Sequence, residues 1–218
     1  MAMPIRGRDA ERSRTAILNA AETLFADRGY QATSLAGIGK RAGVSRGTPG
    51  YFFGTKEALY RAVLDRCFAE ALETVRVGRL RAERSGREQQ AVLAGMVADY
   101  VDFAAGHPDF VRLMHREALG DGPDAAPSAL GLAVGAEAVA ALAHELSIPI
   151  RSRRVAEDLA LSLLALTWFP VLHGRTMVPS VGLNPGAADF LERRKQHITV
   201  LLLAAVPASL VSTSGSSA

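Results

Sequence analysis

The chain has 218 residues, 49% apolar and 22% charged, with a net charge of +3. That balance excludes a wholly disordered chain and a collagen, and a single cysteine, Cys67, excludes a framework of internal disulfides. The charge is uneven: residues 1–60 hold nine Lys/Arg against five Asp/Glu, a surplus of +4, so the rest of the chain sums to −1. A small basic head on a near-neutral body suggests a polyanion-binding module joined to something else, the plain alternative being a solvated face. The first residues lack the apolar segment of a secretory signal. The apolar stretches Leu159 to Leu172 and Ile198 to Val206 are shorter than the ~18–20 residues that span a bilayer. The expectation is a soluble, cytoplasmic protein.

The periodicity is helical almost throughout, and an all-α fold of nine helices is expected. Ile17, Ala21, Leu24 and Phe25 share one face of a first helix, which Gly29 stops. Leu35, Ile38 and Ala42 mark a short second helix, capped by Thr33 or Ser34 and ended by Gly43. Ser45 is expected to cap a third short helix. Thr55 caps a long fourth, whose stripe runs from Tyr60 through Val63, Leu64 and Cys67 to Val75. The charged stretch 78–90 reads as a linker or frayed end. A fifth helix ends near Gly106, and Pro108 opens a sixth that runs to Leu119. Residues 120–127 form a loop, and a seventh helix covers 129–145. The eighth runs from Ser152 to about His173, with a kink or end expected at Pro170. After a loop over 174–186 comes the ninth, 187–206.

A helix, a tight glycine turn and a second short helix inside a basic head is the helix-turn-helix pattern. The second helix must present side chains of its first turn to base edges in a major groove about 12 Å wide. Gly43 allows the turn, and Arg46 and Thr48 fall at the start of the reading helix. The plain alternative is an ordinary helical corner.

The residues carry the pattern further. The run Gly43-Val-Ser-Arg-Gly-Thr48, with Phe53, Lys56 and Glu57 after it and Phe25, Gly29, Tyr30, Thr33 and Ile38 before it, resembles the TetR family of transcriptional regulators. The resemblance covers roughly residues 10–68. It implies a TetR-like architecture: a helix-turn-helix DNA-binding domain over 9–69, a ligand-binding and dimerisation bundle over 70–211, and flexible tails at 1–8 and 212–218. It also implies DNA contacts at Ser34, Ser45, Arg46, Thr48, Tyr51 and Lys56. Two departures stand out. Pro49-Gly50 replaces the family's usual Leu/Ile-Tyr, so Tyr51 or Phe52 has to take over a lost phosphate contact. Gly39 replaces a small Ala, at roughly 1 kcal/mol of helix propensity.

Gly43-Val-Ser-Arg-Gly47 also fits the nucleophile elbow of hydrolases, but that elbow needs a strand before its serine, and here a helix precedes it. No phosphate loop, paired cysteines or metal-spaced His/acid cluster occurs. No catalytic residue, cofactor or metal is expected. In the body, Tyr100, Phe103, Met114, His115, Trp168 and His173 are bulky or polar-tipped groups on Ala/Leu-rich helices. They are core or pocket, and the family resemblance implies a largely apolar pocket. The eighth and ninth helices are apolar nearly all round, through Leu159 to Leu166 and Ile198 to Leu203, with Leu202 read as part of a dimer seam. The expected whole is a homodimeric repressor of a palindromic DNA operator, released by a small apolar effector. The alternatives are a constitutive DNA binder with a filled core, or an all-α enzyme or lipid carrier with a vestigial head.

Overall fold

The computed structural model describes residues 5–85, 89–123 and 129–206. Among these it contains no strand and ten α-helices: α1 (Ile5–Ala32), α2 (Leu35–Arg41), α3 (Thr48–Phe53), α4 (Lys56–Ser85), α5 (Gln89–Gly106), α6 (Pro108–Ala118), α7 (Ala129–Glu145), α8 (Arg153–His173), α9 (Met177–Ser180) and α10 (Phe190–Ala204). The all-α expectation holds. The tenth helix is the four-residue α9, set in what reads as a loop. The expected linker over 78–90 is mostly helix, because α4 continues to Ser85. Its Arg and Glu residues are good helix formers, so the loss of apolar periodicity ends the buried stripe rather than the helix. Helix α1 already begins at Ile5. Residues 1–4 of the expected first tail, and all of 212–218, lie outside the described residues.

The helices fall into two compact units. One comprises Met1–Phe68 together with Asp109–Ser128, the other Ala69–Pro108 with Ala129–Ala218. The head unit thus includes nearly all of α6, which the sequence reading assigns to the body. Its core is Ile17, Leu24 and Phe25 of α1, Ile38 of α2, Leu59, Tyr60 and Val63 of α4, and Val111 and Leu113 of α6, all buried. The rings of Phe25, Tyr30 and Tyr60 form an edge-to-face and stacked trio with centroids 4.9–6.0 Å apart.

The body unit is built round α5, which packs on α7, α8 and α10. Leu93, Val97 and Val101 meet Leu142, Leu146 and Ile148, Ala156 and Leu159, and Ile198 and Leu202 in one continuous core. Leu202 is therefore a residue of the chain's own core and not of an outer seam, because α10 turns Ile198 and Leu202 inward and leaves Val200 exposed. The stretch Ile150–His173 contains an 18-residue window of mean hydropathy 1.6, which is long and apolar enough to cross a membrane by length and composition. This is longer than the apolar stretch read from the sequence. Only 17% of that window is buried within the chain. Pro170 does not end α8, which runs on to His173.

Helical geometry in α1 breaks at Gly29, with φ 82° and ψ 170°. That region of backbone space is essentially restricted to glycine. A Cβ there would also displace the Asp121 carboxylate. Gly29→Ala is expected to destabilise the head by roughly 1–3 kcal/mol, seen as a lowered denaturation midpoint; an unchanged midpoint would show that the backbone relaxes at no cost.

Candidate functional site

The turn after α2 is set by the backbone. Gly43 has φ 70°, its N–H donates to the Lys40 carbonyl at 3.3 Å, and the Val44 N–H donates to the Gly39 carbonyl at 3.0 Å. This is a Schellman closure, and its left-handed residue is the reason a glycine stands at 43. At the other end of α2, the Ser34 hydroxyl accepts from the Gly37 N–H at 3.1 Å. Ser34 is thus the N-cap left open between two residues by the sequence. Thr33 is buried instead, its hydroxyl 2.8 Å from the Gly29 carbonyl and 3.2 Å from that of Leu24.

Ser45 does not cap α3. That helix begins at Thr48 after a turn in which the Thr48 N–H donates to the Ser45 carbonyl at 3.1 Å. The Ser45 and Thr48 hydroxyls share a 2.6 Å hydrogen bond. The later start places Pro49 in the first turn, where a missing N–H costs nothing. The proline ring is buried against Gly39: a Cβ at 39 would lie 3.4 Å from Pro49 Cδ and Cγ and 3.0 Å from the Ser45 carbonyl oxygen. The two departures from the family pattern lie side by side, and the closest neighbour of a side chain at 39 would be the Ser45 carbonyl.

The six residues expected at DNA differ in their freedom. Arg46 is exposed, and so is Tyr51, at 85%. Both sit at the outer end of the turn and on α3, with Thr48 between them and half-buried. Lys56 is engaged inside the head. Its ammonium donates to the Tyr30 carbonyl at 2.9 Å and sits 4.1 Å from the centre of the Tyr30 ring. One of its three donors is used there. Arg14 of α1 lies over the Phe53 ring at 5.2 Å, which fastens α3 from the other side.

An arginine that the sequence reading did not single out closes the head. Arg116 of α6 donates from Nε to the Ala26 carbonyl and from Nη2 to the Asp27 carbonyl, each at 2.8 Å, and pairs with Asp121 at 3.0 Å. These carbonyls stand just before the Gly29 break in α1, and the guanidinium supplies them with donors from another helix. Beside it the Tyr60 hydroxyl donates to Glu117, and desolvation together with that bond raises the phenol above its ordinary value.

The candidate pocket residues divide between the units. Met114 and His115 lie on α6 in the head unit, and His115 is exposed. In the body, Trp168 Nε1 donates to the Tyr100 hydroxyl at 2.9 Å, and the Tyr100 and Phe103 rings stack 6.2 Å apart. Burial raises the Tyr100 phenol. His173 packs on Phe169 instead, with centroids 4.5 Å apart. A separate cavity of about 280 Å³ opens among α5, α8 and α10, lined by Val101, Ala105, Thr167, Pro170, Phe190 and Arg194 among others. None of the six pocket residues lines it.

The fold and the head define an all-helical helix-turn-helix protein. Residues 17–63 match the model of the family described as bacterial regulatory proteins, tetR family. The transcriptional repressor NicS of Pseudomonas putida is 31% identical over 138 residues, which is 63% of this chain and 63% of that repressor. A bacterial regulatory protein of the tetR family from Rhodococcus RHA1 superposes with a TM-score of 0.66 at 17% identity, over 89% of this chain and 96% of that one. AibR, solved with isovaleryl coenzyme A and operator DNA, superposes with a TM-score of 0.61 at 15% identity, over 88% and 98%. The head thus carries the sequence pattern of the tetR family, and the fold is one that solved tetR-family regulators share.

Lys56→Met keeps the aliphatic stem and removes the ammonium. It is expected to cost the head about 1–2 kcal/mol through the lost charge-assisted bond and ring contact. A thermal melt followed by circular dichroism measures it, and an unchanged melt would make the Tyr30 contact incidental.

Proposed function

We propose that the chain is a homodimeric transcriptional repressor in the cytoplasm, acting on a palindromic operator and released by a small effector. The observation that carries this reading is the Schellman-closed turn with Arg46 and Tyr51 exposed beside α3. In it, residues 9–69 bind double-stranded DNA and the helices over 70–211 dimerise and hold the effector. Arg46 reads a base edge, Thr48, Ser45 and Ser34 line the approach, and Tyr51 supplies the phosphate contact that Gly50 cannot. Lys56 adds charge near the backbone with its remaining donors. NicS, named a repressor, supports the sign of regulation.

Dimerisation through α8 and α10 is favoured by the apolar surface these helices leave uncovered. Leu161 is 66% exposed and Val200 62%, with Phe169 and Leu201 also exposed. A second copy of the chain covers such a face at least cost. Two heads then meet half-sites about 34 Å apart. The mutual bond of Tyr100 and Trp168 favours core packing for that cluster, so the body cavity beside Thr167 and Arg194 is the better effector site.

Arg46→Ala is expected to cost about 1–3 kcal/mol on the operator and less on random DNA. Gel shifts against the DNA upstream of the chain's own coding sequence measure both, and equal losses would remove the base-reading role. In sedimentation, Leu161→Glu or Val200→Glu is expected to raise the dimer Kd at least about tenfold, because an unpaired buried charge costs several kcal/mol. Leu202→Glu is expected to unfold the body instead. A dimer unchanged by both exposed-face variants would place the interface elsewhere.

A further inference from the structure

The cavity among α5, α8 and α10 has mainly apolar walls, with two polar groups whose hydrogen bonding is incomplete. Pro170 explains the first. Lacking an N–H, it cannot donate to the Leu166 carbonyl one turn back. Arg194 of α10 reaches that carbonyl with Nη2 at 3.3 Å. Its Nε is buried without a partner among the described residues. Its neighbours in the basic cluster are matched: Arg193 pairs with Asp189 at 3.1 Å, and Lys195 with Asp102 at 2.8 Å. Arg194 has no carboxylate in reach among the described residues, and burial pushes its guanidinium below its usual value. The second group is Thr167, only 5% exposed, whose hydroxyl has no hydrogen-bond partner among the described residues. A buried donor left unmet keeps its full desolvation penalty, which is larger when the group is charged.

A neutral apolar molecule would leave both groups unmet. A molecule with one anionic, oxygen-bearing end would satisfy both. The volume, about 280 Å³, lies just below the usual range of small-molecule sites, roughly 300 to 1,000 Å³, and so suits a small ligand. We propose that this cavity binds a small organic acid, an apolar body carrying one carboxylate, with the Arg194 guanidinium and the Thr167 hydroxyl as its anion receptor. Val101, Ala105 and Phe190 enclose the apolar part. The inference rests on the reading that the body unit holds an effector site, and it replaces a purely apolar effector with an acid.

The test is calorimetric titration of the full chain with straight-chain acids from butanoate to decanoate and with the matching alcohols. At least one acid is expected to bind about tenfold or more tighter than its alcohol. Arg194→Gln is expected to abolish that preference, Arg194→Lys to keep part of it, and Ala105→Phe to block acid and alcohol alike by filling the cavity. Circular dichroism checks that each variant is folded. Acid and alcohol binding equally at every chain length, a preference that survives Arg194→Gln, or binding that survives Ala105→Phe would each overturn the proposal. Gel shifts on the wild type separate it from the repressor reading. An acid that binds in the cavity and leaves operator affinity unchanged upholds the site and removes its effector role; operator binding without any acid preference does the reverse.

Discussion

Two backbone hydrogen bonds, from Gly43 to Lys40 and from Val44 to Gly39, fix the direction in which the chain leaves α2. Everything the head presents outward follows from that closure. It places Ser45 where its carbonyl receives Thr48, so that α3 starts there and carries Tyr51 to the surface. A different exit angle would separate Pro49 from the shelf left by Gly39 and move Phe53 from beneath Arg14. The turn is a constraint of main-chain geometry, and the side chains of the head are arranged around it.

A second theme is the fate of carbonyls beside an interruption of a helix. Ala26 and Asp27 stand just before the Gly29 break, and Pro170 leaves the Leu166 carbonyl without its helical donor. In both units an arginine from another helix answers, because a guanidinium offers five donors in a fixed fork. The outcomes differ. Arg116 is used at Nε, Nη1 and Nη2, the Nη1 bond going to Asp121, so its charge is balanced and it acts as a staple. Arg194 makes one long bond and keeps an unmet Nε beside a cavity. Equal chemistry yields a closed joint in the head and an open receptor in the body.

The head was legible in the sequence because its signals are local. Gly29, Gly43, the Ser34 cap and the 3–4 stripes each act within a turn or two, and the helix class followed from them. The placement of Ser45 was missed because Pro49, four residues on, decides where the helix can begin. The role of Arg116 could not be read, since its partners lie about ninety residues away in the chain. In the body, apolar residues on nearly every face of α10 hid which of them point inward, and only packing on α5 separates Ile198 and Leu202 from Val200. Arg194 had one sequence signal that went unread: a proline inside a helix always leaves a carbonyl that some other group must satisfy.

The bare Cα at Gly39 also ties two helices together. A Cβ there would lie 3.0 Å from the Ser45 carbonyl oxygen, while the Pro49 ring stays at ordinary contact distance, 3.4 Å. That carbonyl is the one that receives the Thr48 N–H at the start of α3. Alanine at 39, although it favours α2, therefore has to push on the atom from which α3 is launched, and one methyl group in the second helix is felt as a displacement of the third.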